Sequence, residues 1–187
     1  MEQTDPRIRR TQTALAKALI ALTLEKGYEA VTIRDLAERA GIGYATFFRH
    51  YPHKAALLHD VLDVFVEELL AVLQDRAGQP GQSALIFSYI QEHQALARVL
   101  LASQGPSALV ERLQATSVAH VLAQSRPRAG SPVPPEIAAH HLVTASIALI
   151  QWWLDHDLPY PPEQMGAIYD ALVVQPTQTL AFEAERQ

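Results

Sequence analysis

The stretch Val31 to Lys54, VTIRDLAERAGIGYATFFRHYPHK, constrains this chain more than any other. Thr32 can N-cap a helix, and Ile33, Leu36, Ala37 and Ala40 follow at spacings that set apolar groups on one side. Asp35 falls in the first turn, where a negative charge suits the helix dipole. Gly41 can take the left-handed conformation that ends a helix sharply. A second short helix then fits Tyr44 to Tyr51, with Phe47 and Tyr51 turned back toward the first, and Pro52 closes it. Two short helices on a tight glycine turn predict a helix-turn-helix, whose second helix has the width of a DNA major groove.

The residue types suit that task. Thr32, Arg34, Tyr44, Thr46, Arg49, His50 and Lys54 are donors able to reach phosphates or base edges. Tyr44 and Arg49 of this set, with the apolar Ala45 between them, are expected to face bases, Arg49 forking onto a guanine and Ala45 touching a thymine methyl. Thr32, Thr46, His50 and Lys54 are expected to hold phosphates. The segments LEKGYEAVTIRDLAERAGI and ATFFRHYPHKAALL resemble the DNA-binding domain of the TetR family of bacterial transcription regulators, almost unbroken from Arg10 to Leu58. Three positions depart from the family pattern: Gly43 where a Ser or Thr usually caps, Phe48 where Tyr is frequent, and Tyr44 in place of a frequent Lys.

Charge is divided along the chain in the same sense. The net charge of −5 argues poorly for nucleic acid as a whole. Residues 1–60 nevertheless carry nine Lys and Arg against seven Asp and Glu, and the remainder six against thirteen. So small a positive surplus means that affinity has to come from placement. The 187 residues are 49% hydrophobic, enough for a packed core, and without cysteine there are no disulfides, catalytic thiolates or zinc fingers. The longest apolar run, Leu142 to Leu154, is too short to span a bilayer. Arg7 to Leu24 mimics a signal peptide, but Lys17 interrupts it and no small-residue cleavage site follows, so the expected location is cytoplasmic.

Beyond the motif nearly everything reads as helix, and the expected fold is all-α. A three-helix DNA-binding domain occupies residues 1–53, and a larger helical ligand-binding and dimerisation domain occupies 54–187. Helices are predicted over Arg7–Lys26, Lys54–Arg76, Ser83–Gln104 with a bend near His93, Ser107–Gln124, Pro135–His156 and Glu163–Val174. Breaks are expected at Ala77–Gly81, Gly105–Pro106 and Arg126–Pro135, and a frayed tail after Gln175. Pro135–His156 carries two apolar stripes, one through Leu142, Ala145, Leu149 and Trp152, the other through Val143, Ile147, Ile150 and Leu154. Two stripes ask for two partners. The resemblance implies that residues 135–156 and 163–174 pair with their mates in a homodimer, and that a small-molecule inducer sits among the middle helices.

The candidate pocket residues are Phe65, Phe87, Tyr89, His93, Leu100 and Trp152, apolar groups with a few polar tips that favour a neutral or apolar ligand. No catalytic residues, cofactor or metal are expected. His140 and His141 diverge by ~100° on a helix, and Glu136 with His140 lacks a third ligand. No serine sits in a glycine elbow. The function expected is a homodimeric repressor on a palindromic double-stranded operator, released by an inducer. The alternative is an all-helical accessory protein or enzyme with a non-functional motif.

Overall fold

In the computed structural model the described residues are 6–75, 81–101 and 107–183. Every regular element among them is helical, apart from an isolated bridge between Pro127 and Phe182. The helices are α1 (Pro6–Lys26), α2 (Ile33–Arg39), α3 (Tyr44–His50), α4 (Lys54–Asp75), α5 (Gln82–Glu92), α6 (Gln94–Leu101) and α7 (Ser107–Gln124). They continue with α8 (Pro135–Asp155), α9 (Pro162–Tyr169), a π-helical turn (Asp170–Val174) and α10 (Gln175–Ala181). The chain forms two compact units that divide between Glu67 and Glu68. That division falls inside α4, whereas the sequence placed a boundary at its first residue. Leu57, Leu58, Val61 and Leu62 are buried at helical spacing, so the start of α4 belongs to the core of the first unit.

In the first unit the core is built from Leu15, Ala18, Leu19 and Leu22 of α1, Leu36 and Ala37 of α2, Phe47 of α3, and the α4 leucines. Ala37 is small and buried, which lets α2 and α3 approach closely. Gly41 sits at φ +67° and Ile42 N donates to Ala37 O, so the sharp exit from α2 takes the left-handed form expected of it. α2 starts with a full capping box: Thr32 Oγ1 accepts from Asp35 N, and Thr32 N donates to Asp35 Oδ2. Two ion pairs join α1 to α2. Lys26 Nζ lies 2.7 Å from Asp35 Oδ2, and Arg39 grips Glu25 through both nitrogens at 2.8 Å.

In the second unit α5 and α9 lie so close that a Cβ on Gly166 would stand 2.6 Å from Ala84 N. Phe87 fills the space beside them, edge-on to Trp153 at 5.3 Å and to Tyr169 at 5.9 Å. The bend expected near His93 is a true break between α5 and α6. Of the two stripes of α8, the one through Val143, Ile147, Ile150 and Leu154 is the buried, inner one. α8 runs for 21 residues and matches a membrane span by length and composition only, a test that the core helix of a folded protein also passes, and its inner stripe is buried within the second unit. The expected breaks at residues 77–80 and 105–106 lie outside the described residues.

The expected frayed tail is overturned. Helix continues to Ala181, and Ala181 and Phe182 bury themselves against Ala138 and Ala139, with Val118, Val121, Leu122 and Val133 around them. Arg128 N donates to Ala181 O and Glu183 N to Arg126 O, stitching the end of the chain to the proline-rich loop. The π turn has a local cause. Pro176 has no N–H and its ring would press on the carbonyl four residues back; widening the turn, with Gln175 N donating to Asp170 O, makes room for it.

Candidate DNA-binding surface

α3 is anchored by one residue and presents four. Phe47 is fully buried, whereas Tyr44, Ala45, Phe48 and Arg49, spaced i, i+1, i+4 and i+5, are all exposed and form one face. Gly43 provides no side-chain cap, so α3 is held by its tertiary contacts. At its far end Tyr51 is buried and donates from its hydroxyl to Asp60 Oδ2, joining the end of α3 to α4. Burial, then the Asp60 hydrogen bond and charge, push the Tyr51 hydroxyl pKa well above its ordinary value, so it stays a donor. The sequence reading missed this pair, because a spacing of nine residues across a proline turn carries no local signal.

The polar candidates separate into free and committed groups. Arg34 on α2 and Arg49 on α3 are exposed and make no hydrogen bond or ion pair among the described residues. Thr46 and His50 are half-buried on the flanks of α3. Thr32 is exposed, yet its hydroxyl donates to Asp35 Oδ2 at 2.7 Å, so it serves the cap first. Asp35 is held well below the usual carboxylate range by the Lys26 hydrogen bond, then by the Thr32 hydroxyl and amide.

Lys54 stands differently from the expectation. Its ammonium donates to the carbonyls of Tyr28 at 2.7 Å and Val31 at 2.9 Å, with a longer contact to Glu29 at 3.4 Å. It also lies 4.2 Å from the centre of the Tyr28 ring. All three donors of the ammonium are aimed at the loop between α1 and α2, which makes Lys54 a clamp rather than a free hand for phosphate.

The ligand candidates are divided too. Phe87 and Leu100 lie in the core of the second unit, and Tyr89 is buried with its ring 4.3 Å from that of half-buried His93. Tyr89 donates from its hydroxyl to Glu68 Oε2 at 2.9 Å, which brings a carboxylate to residues that read as uncharged. Phe65 is buried but belongs to the first unit. Trp152 is a correction: it is 42% exposed and stacks on His156, while Trp153 beside it is 0% exposed and donates to Tyr160 O. Glu136, His140 and His141 are exposed, and no three His, Cys, Asp or Glu side chains come together among the described residues.

Comparison with known proteins agrees with this arrangement. A family model described as bacterial regulatory proteins, tetR family, matches residues 15–61, and one described as a transcriptional regulator C-terminal region matches residues 82–175. An uncharacterized HTH-type transcriptional regulator of Bacillus subtilis, YxbF, is 28% identical over 176 residues, 88% of this chain and 45% of its own length. The HTH-type transcriptional repressor Rv3405c of Mycobacterium tuberculosis is 31% identical over 129 residues, 68% of this chain and 65% of its own. The chain thus spans less than half of the first relative and just under two thirds of the second. Among solved structures, NalD, the secondary repressor of the MexAB-OprM multidrug efflux pump in Pseudomonas aeruginosa, is similar in fold. Its TM-score is 0.66 at 18% identity, covering 94% of this chain and 98% of that one.

Proposed function

Since this chain belongs to the TetR family of bacterial regulatory proteins, we propose that it is a homodimeric repressor which leaves a palindromic operator when a small molecule binds its C-terminal unit. The family supports reading it as a DNA-binding transcriptional regulator. The finer reading rests above all on the outward face of α3, where Tyr44, Ala45 and Arg49 are exposed over a buried Phe47. In this reading those three meet base edges, while Arg34, Thr46 and His50, with Thr32 at the start of α2, hold phosphates. Lys54 supports them by fixing the loop from which α2 starts.

Dimerisation is supported by what α8 and the helices after it leave uncovered. Ile137, Trp152 and Leu172 are large, apolar and exposed, on the two segments that the sequence assigned to pairing. A single short helix reads only a few base pairs, and two heads on a palindrome double the readout. The inducer is proposed to be neutral or largely apolar, held near Phe87, Tyr89, His93 and Leu100, with α4 carrying its effect to the motif. A regulator of this kind works in the cytoplasm, where the chromosome is. Selection of bound sequences from a random duplex library tests the reading directly. An enriched inverted repeat is the expected result, and no enrichment would refute it.

A further inference from the structure

We propose that Phe48 is a specificity-determining residue that reads the 5-methyl group of one thymine in the operator. This deepens the reading of α3 as the helix that meets the bases, and it rests on that reading. Phe48 is 46% exposed although its side chain is wholly apolar. It is not loose: the Phe47 ring meets it edge-on at 5.5 Å and 80°, and the Tyr44 ring at 5.3 Å and 70°. Phe47 is fully buried, so Phe48 is braced on a core residue with its other side turned outward. Tyr44, itself 54% exposed, and Ala45 extend the same apolar surface toward Arg49.

The chemistry of a phenyl ring narrows what this surface can meet. It has no hydrogen-bond donor or acceptor, so it satisfies neither a phosphate nor the heteroatoms of a base edge. In a major groove the apolar feature that distinguishes one base from another is the thymine methyl. Contact with sugar carbons is the other apolar possibility, and it would be blind to sequence. Holding the ring between two others means that little freedom is lost on docking, which makes a small contact count.

The test uses an operator half-site from library selection, synthesised with each thymine replaced in turn by uracil. The full-length wild type should lose about fourfold in affinity at one position, the factor expected for one methyl-sized group withdrawn from burial. Phe48→Ala should bind thymine and uracil equally there. Phe48→Gln, which keeps side-chain length on the helix, should behave the same and guards against a folding defect in the first variant; thermal unfolding of both checks this. The inference would be overturned if every uracil penalty of the wild type survived in both variants, or if the wild type were indifferent to uracil at every position; a penalty at a separate thymine met by Ala45 is expected to survive and is assigned by Ala45→Gly. A sole penalty that disappears in Ala45→Gly while persisting in Phe48→Ala would overturn it too. A wild type that selects no DNA sequence at all overturns the regulator reading as well, and is thereby distinguished from failure of the inference alone.

Discussion

Lys54 donates from Nζ to the carbonyl oxygen of Tyr28 at 2.7 Å while lying 4.2 Å from the centre of the same residue's ring. One side chain at the start of α4 therefore holds both the backbone and the aromatic face of the α1–α2 loop. Replacement by Met keeps the stem and removes the charge. Lys54→Met is expected to cost about 1–2 kcal/mol, the lower part of the range for hydrogen bonds to a charged group, because the site is half-exposed. Urea unfolding without DNA measures it. An unchanged midpoint together with weaker binding to every duplex would return Lys54 to the phosphates.

Arg49 should behave in the opposite way. It is exposed and makes no hydrogen bond or ion pair among the described residues, so Arg49→Ala should leave the unfolding midpoint in place. Operator affinity should fall by about 1–3 kcal/mol, with relaxed preference at one base pair. Repeating the library selection with the variant checks this, and an unaltered consensus counts against base contact.

The proposed dimer face is testable at Leu172, which is 66% exposed in the single chain. A carboxylate there costs the free chain little but would be buried unpaired in an interface. Leu172→Asp should shift sedimentation toward monomer at micromolar concentration and weaken operator binding with it. A variant that sediments like the wild type would place the interface elsewhere.

Asp35 gives the first unit an acid-sensitive contribution. Its folded pKa is depressed below the ordinary 3.8, first by Lys26, so the charged form is favoured by folding. That contribution is complete above the unfolded value and is lost as pH falls below about 4 toward the folded one. Asp35→Asn should therefore be less stable than the wild type at neutral pH, with the gap narrowing under acid. Unfolding midpoints recorded from pH 7 to pH 2 should converge. A constant gap would mean that the cap, not the charge, accounts for the difference.

Gly166 is expected to tolerate no side chain. A Cβ would meet Ala84 N at 2.6 Å and Ala84 Cα at 2.7 Å, backbone atoms that cannot swing aside. Gly166→Ala should cost about 1–3 kcal/mol through overpacking, against the roughly 1 kcal/mol that alanine ordinarily gains over glycine within a helix. Ala84→Gly should not rescue it, since the clash is with backbone. Thermal unfolding of the single and double variants decides this, and full rescue would show that the closest contact is the Ala84 methyl.

How much of this was legible in the sequence follows the reach of the forces involved. The cap at Thr32 and the turn at Gly41 rest on interactions within four or five residues, so residue type and spacing sufficed to place them, and helical spacing alone marked Phe47 as facing inward. The two stripes of α8 were legible for the same reason, since period alone sorts their positions. Trp152 and Trp153 were not distinguishable in this way. Both are large and apolar, and neighbours on a helix differ by only ~100°. The contact of Trp153 with Phe87 settles which one goes inside. Lys54 is the sharper case: its carbonyl partners lie 26 and 23 residues away, and nothing in KAALL announces that its charge is already engaged. The end of the chain follows the same logic. Polar residues around Pro176 read as a tail, but Ala181 and Phe182 find a surface made by Ala138 and Ala139 some forty positions earlier. The sequence by itself determined the motif and most of the helices, because their causes are local, but not the helix from Gln175 to Ala181. Only the tertiary structure decided which donors remain free for DNA and where the C-terminus packs, because those depend on groups that folding brings together.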